Sequence, residues 1–123
     1  MKRKNFSVKK RMRSFKYALN GFRVLLCEES NAWIHLGVAV CVLVAGVVCK
    51  ISSGEWMAVV LCIGFVFALE LINTSIEAMA DFVSEEYHEA IKKTKDLAAG
   101  AVLAGAITAA IVGLIVFVPK LIG

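Results

Sequence analysis

Three long apolar runs, parted by short polar segments, dictate what this chain can fold into. They are "WIHLGVAVCVLVAGVVC" (33–49), the stretch opening at Trp56, and "LAAGAVLAGAITAAIVGLIVFV" (97–118). Crossing a hydrocarbon core of about 30 Å takes about 20 mostly apolar residues in a helix. The chain has 123 residues, 59% hydrophobic, with a mean hydropathy of +0.77. A soluble domain of this size needs more polar side chains on its surface. The expected fold is therefore an all-α membrane protein, one domain over residues 1–123. It has an N-terminal amphipathic surface helix at 5–27 and membrane helices at 32–49, 56–83 and 97–118.

The surface helix is read from spacing. Val8, Met12, Phe15, Leu19, Phe22 and Leu26 recur every three or four residues and form one apolar stripe. Lys9, Lys10, Arg13, Lys16 and Arg23 fall largely off it. A basic amphipathic helix of this kind lies flat among lipid headgroups. A helix packed in a protein groove is the alternative. The basic head, running from Lys2 to Arg23, points to an anionic membrane surface rather than to nucleic acid. It is too long for a cleavable signal peptide, and no small-residue cleavage site follows an early apolar run. By the positive-inside rule the head is cytoplasmic, so 50–55 lies outside, 84–96 inside and the C-terminus outside. Lys92, Lys93 and Lys95 in the inner connector agree. Ser30 or Asn31 is expected to cap the first span, Trp33 to anchor it at an interface, and Pro119 to end the third. Ala101, Gly105, Ala109 and Gly113, four apart, suit close helix packing in lipid. Cys27, Cys41, Cys49 and Cys62 have no metal-ligand spacing and read as small apolar fillers.

The second span is unusual. Its apolar run from Trp56 to Leu69 is only 14 residues, too short to cross. No Pro or Gly interrupts the chain between Phe65 and Val83, so the helix continues through Glu70. At about 1.5 Å per residue, Trp56 to Glu70 covers about 21 Å and Trp56 to Glu77 about 31 Å. Glu70, Asn73, Glu77 and Asp81 follow at spacings of 3, 4 and 4 and share one helix face. Ionisable side chains at membrane depth are costly and mark function by default. Three acids on one stripe repel unless a cation or a proton relieves them. Two carboxylates at the boundary can hold Mg²⁺ together with nucleotide phosphates. A third, desolvated, can take a proton from a hydroxyl. Glu28 and Glu29 should reach the same depth, and the connector lysines can meet phosphate charge. Phosphoryl transfer to a lipid alcohol fits these parts. No GxxxxGK[ST] loop is present, which excludes the common phosphate-binding fold. A proton-coupled transport subunit, or an assembly factor using the acids as a seam, remains open on composition alone.

"ELINTSIEAMAD" (70–81) and "SEEYHEAIKKTKDLAAGAVL" (84–103), with "NGFR" (20–23) and Glu29 upstream, closely resemble the prokaryotic diacylglycerol kinase family. That family includes enzymes that phosphorylate diacylglycerol and relatives that phosphorylate undecaprenol. The resemblance implies an ATP- and Mg²⁺-dependent lipid kinase of the inner (plasma) membrane, with its active site cytoplasmic. It also implies a homotrimer of three-span protomers with active sites shared between neighbours. By position, Glu70 is similar to the family's general base, and Glu29 and Glu77 to its metal carboxylates. Lys10, Tyr17, Glu29, Glu77, Glu86, Tyr87, His88, Lys95 and Asp96 are similar to its nucleotide contacts. Asn73, Asp81, Arg23 and Ala99 match positions that shape the site or meet substrate. The "EYH…KD" connector distinguishes a kinase from a seam, which has no use for it. Diacylglycerol is the first expectation for the lipid and undecaprenol the second. The enterobacterial members carry an acid where this chain has His35, and "NAWIH" (31–35) looks more like the undecaprenol-phosphorylating relatives. His35 is read as an interfacial hydrogen-bonder or as part of a lipid-headgroup site.

Overall fold

The computed structural model describes residues 7–84 and 86–123. Residues 5 and 6 of the expected surface helix, the basic residues Lys2, Arg3 and Lys4, and Glu85 lie outside the described residues. Four helices follow in order: α1 (Val8–Glu28), α2 (Ser30–Cys49), α3 (Ser53–Val83) and α4 (Glu89–Ile122). The last three are long and apolar enough to cross a membrane. α3 has 31 residues and α4 has 34. At about 1.5 Å per residue both exceed 45 Å, roughly half as long again as a hydrocarbon core, so their ends project beyond it.

α1 starts at Ser7, whose hydroxyl accepts from the Lys10 N–H at 3.4 Å. The expected stripe residues Val8, Met12, Phe15, Leu19 and Phe22 are exposed in the protomer, whereas Leu25 is buried. α1 therefore touches α2 and α3 and leaves most of its apolar stripe uncovered. Its junction with α2 differs from expectation. Glu29, not Ser30 or Asn31, is the N-cap of α2, and its side chain makes no capping bond. Its extended backbone (φ −112°, ψ 110°) turns α1 into α2. Its carboxyl group instead feels that of Glu77 on α3. Trp33 does more than mark an interface: its indole Nε1 donates to the Leu26 carbonyl at 2.7 Å and ties the two helices together.

At the far end of the bundle, Ser52 and Glu55 form a reciprocal capping box that starts α3. Lys120 Nζ sits 3.2 Å from Glu55 Oε1, joining α4 to that corner. Ile51, Val59 and Val116 form a small buried cluster there, with Trp56, Val112 and Phe117 packed against it. Contrary to expectation, α4 does not stop at Pro119 but runs to Ile122. A proline in the last turn loses only its own backbone bond, while its carbonyl still accepts from Gly123. α4 also begins at Glu89, well before residue 97. The segment read as a connector is polar, yet 89–96 contains neither Gly nor Pro, and Lys92 pairs with Asp96 one turn on at 2.6 Å.

α3 and α4 form the largest helix interface. Of the two glycines in the expected small-residue row on α4, Gly105 is crowded by α3 and Gly113 is not. A Cβ at Gly105 would stand 2.5 Å from Leu69 Cδ1. A second close approach sits at Gly46 on α2, where a Cβ would meet the Trp56 ring at 2.6 and 2.9 Å. The ring is rigid and cannot yield as the end of a leucine can. Gly46→Ala is expected to destabilise by about 1–3 kcal/mol. Gly64→Ala, whose added methyl meets nothing within 4 Å, is the control. Thermal unfolding in detergent checks this, with a lower Tm for the first variant only.

Candidate active site

Glu70 is buried at 2% exposure, and Asn73 and Thr74 beside it are also buried. Glu77 is half-buried and Asp81 exposed. The stripe therefore climbs from a dry interior to an open end, as its spacing requires. His35 of α2 reaches across to Glu70, with Nε2 2.9 Å from Oε1. Further up, Glu29 from the α1–α2 junction stands close enough to Glu77 for the two carboxyl groups to act on each other. Glu29 titrates above its ordinary value, first because of burial, then because of the charge and hydrogen bond of Glu77. Glu70 and Glu28 add to the repulsion.

This pair fits a divalent cation. Two carboxylates in contact at the edge of a low-dielectric region share a proton or a cation. Among the described residues no group of three or more His, Cys, Asp or Glu could hold a metal by itself. Mg²⁺ takes one or two carboxylates and completes its shell with water and substrate phosphate, so the Glu29–Glu77 pair is the place that would hold it. The buried Asn73 Oδ1 and Thr74 Oγ1 lack hydrogen-bond partners. Each unmet polar atom costs about 1–3 kcal/mol, so both suit a polar guest. Thr74 was not among the expected residues. Its place four residues after Glu70, on the same helix face, was the available signal.

A groove of about 340 Å³ opens where α3 ends and α4 begins. It is lined by Asp81, Ser84, Glu86, Tyr87, His88, Ile91, Lys92, Lys95 and Asp96. Five expected nucleotide contacts thus converge at one place. The short turn holds them there: Ser84 Oγ accepts from the Glu86 N–H at 3.2 Å, and His88 is the N-cap of α4. Lys95 Nζ lies 2.5 Å from Asp81 Oδ1, clamping α4 to α3 across the groove. A second groove beside it carries Tyr87, Glu89, Lys92, Lys93, Asp96, Leu97 and Gly100. Four expected residues stay apart. Lys10, Tyr17 and Arg23 are exposed on α1 and line neither groove, and among the described residues α1 does not pack on α4. Ala99 is exposed on α4 and lines neither groove.

An apolar cavity of about 350 Å³ lies between α2, α3 and α4. His35 and Ile34 border it, and its walls include Val38, Val42, Val66, Phe67, Ala106 and Ala109. Glu70 is thus a buried carboxylate that touches His35 at the border of this cavity, while the charged groove opens at the far end of the acidic stripe, beside Asp81.

Comparison with known proteins identifies the family. The sequence model of the family described as "Prokaryotic diacylglycerol kinase" matches residues 16–117. The undecaprenol kinase of Bacillus subtilis (strain 168) is 40% identical over 109 residues, covering 89% of each chain. The diacylglycerol kinase of Synechocystis sp. is 37% identical over 110 residues, 89% of this chain and 63% of that one. The diacylglycerol kinase of Escherichia coli (strain K12) is 33% identical over 97 residues, 77% of this chain and 78% of that one. With the match spanning all three apolar helices and the acidic stripe between them, the chain belongs to the prokaryotic diacylglycerol kinase family of membrane lipid kinases.

Proposed function

We propose that this protein transfers the γ-phosphate of ATP to a polyisoprenoid alcohol of the undecaprenol type. The observation that carries the reading is the buried Glu70 carboxylate, in contact with His35 at the border of the apolar cavity and on one stripe with Glu77. In this reading Glu70 takes the proton of the lipid hydroxyl. The freed oxygen bonds to the γ-phosphorus as the bond to the bridging oxygen breaks, and ADP leaves with that electron pair. Glu29 and Glu77 hold Mg²⁺, which neutralises phosphate charge when bound. Glu86, Tyr87, His88, Lys95 and Asp96 contact the nucleotide in the groove. Asn73 and Thr74 offer their unmet oxygens to substrate, and Asp81 holds Lys95 in place.

Diacylglycerol was the first expectation from sequence. Two considerations favour the prenyl alcohol. Apart from His35, the chamber walls offer apolar side chains, which suit a hydrocarbon chain better than ester groups. The undecaprenol kinase of Bacillus subtilis is also similar along nearly its whole length. The experiment is a competition assay with purified protein, MgATP and both lipids. Undecaprenol is expected to be phosphorylated in preference. Preferred phosphorylation of diacylglycerol would overturn the lipid choice and leave the kinase intact.

The working unit in this reading is a homotrimer in the plasma membrane, with the N-terminus and active site cytoplasmic. α1 lies on the membrane, its stripe among acyl chains. Exposed Leu103, Ile107, Ile111 and Leu114 on α4 meet lipid or a neighbouring copy. Lys10 and Tyr17, apart from the groove of their own protomer, then serve the site of a neighbour.

A further inference from the structure

We propose that His35 is a positioning residue for Glu70, holding one carboxylate oxygen so that the other faces the lipid hydroxyl. The inference rests on reading Glu70 as the base. Among the described residues, the side chain that reaches the Glu70 carboxylate is His35, 2.9 Å away. The Glu70 side chain is 3% exposed and that of His35 is 23% exposed. An unsupported carboxylate at such a place is free to rotate about its last torsion, which has no sharp preference. A ring N–H donated to Oε1 removes that freedom and leaves Oε2 available. Either protonation state of the imidazole with a hydrogen on Nε2 serves.

The placement is specific. His35 lies on α2, and the Trp33 indole bond to Leu26 ties the first turns of that helix to α1. His35 also borders the apolar chamber beside Ile34 and Val38. The imidazole therefore stands where a lipid alcohol leaving the chamber meets Glu70. Misplacing a reacting group by about 1 Å costs roughly 100-fold in rate. Loss of the donor should act on turnover rather than on nucleotide binding, because no wall of the nucleotide groove includes His35.

The test compares His35→Ala, His35→Asn and His35→Gln in the full chain, reconstituted with MgATP and undecaprenol. Gln carries an amide N–H near the place of Nε2, whereas Asn is one methylene shorter. Expected is a loss of kcat of roughly 10- to 100-fold in the Ala and Asn variants, with KM for ATP unchanged, and recovery of most of that loss in the Gln variant. Should the Ala variant fail to fold, the Gln–Asn pair, equal in polarity, decides. Wild-type kcat in all three variants, or equal loss in all three, overturns the inference. A wild-type protein that phosphorylates no lipid would instead overturn the reading of Glu70 beneath it.

Discussion

Glu70→Gln is expected to abolish measurable lipid phosphorylation, lowering kcat by about 10²- to 10⁴-fold, the usual worth of a general base. The substitution keeps shape and polarity but removes the proton acceptor. Its amide can still meet His35, so the packing of α2 on α3 should survive. MgATP binding should survive too, since the nucleotide groove lies at the other end of the acidic stripe. Turnover by phosphate transfer from labelled ATP and assembly in detergent, measured on the same sample, separate the two possibilities. Lost assembly with normal turnover per assembled particle would favour the acids as an interhelical seam. Lost turnover in an intact assembly favours chemistry.

Glu77→Gln should act on the metal. A partner that merely supports a metal ligand is worth about 10- to 100-fold in affinity. Removal of a direct carboxylate ligand should therefore raise the Mg²⁺ requirement by roughly tenfold or more. The same change acts on Glu29. Its pKa is raised by burial and then by Glu77. Without the Glu77 charge it should fall towards its ordinary value of 4.5, stopping short because burial remains. The sign for metal binding follows. A raised pKa means that protons compete with Mg²⁺ further up the pH scale. The wild type should thus need more Mg²⁺ as pH falls towards the raised value of Glu29, and the variant should show less of this dependence. An Mg²⁺ titration at several pH values checks both effects. An unchanged titration in the variant would remove Glu77 from the metal site.

The membrane helices were legible because hydropathy and length speak plainly in lipid. The continuation of α3 through Glu70 followed from the lack of Pro or Gly after Phe65, and the structure has one helix from Ser53 to Val83. The stripe was legible because a helix face is a matter of spacing. What stayed hidden depends on contacts between elements. From spacing alone Glu29 could be placed only at the depth of the stripe, and it was the family resemblance that coupled it with Glu77, since the turn at Glu29 has an ordinary extended backbone with no residue signature. The His35–Glu70 bond joins residues 35 positions apart and has no local signal. The early start of α4 at Glu89 was missed because polarity was taken to mean connector, although Glu, Ala and Lys are strong helix formers. Lys10 and Tyr17 illustrate the opposite case: their motif is legible, while one protomer does not bring them to the groove.

Mn²⁺ in place of Mg²⁺, bound with a non-hydrolysable ATP analogue, allows the metal's neighbours to be read directly. With glutamate carboxylates carrying ¹³C, electron–nuclear resonance reports which of them lie against the ion. The expected result is a carboxylate coupling that weakens in Glu29→Gln, weakens in Glu77→Gln and disappears when both are changed. A bound Mn²⁺–nucleotide complex whose carboxylate coupling is absent, or is indifferent to both substitutions, would contradict a nucleotide metal held beside Glu70.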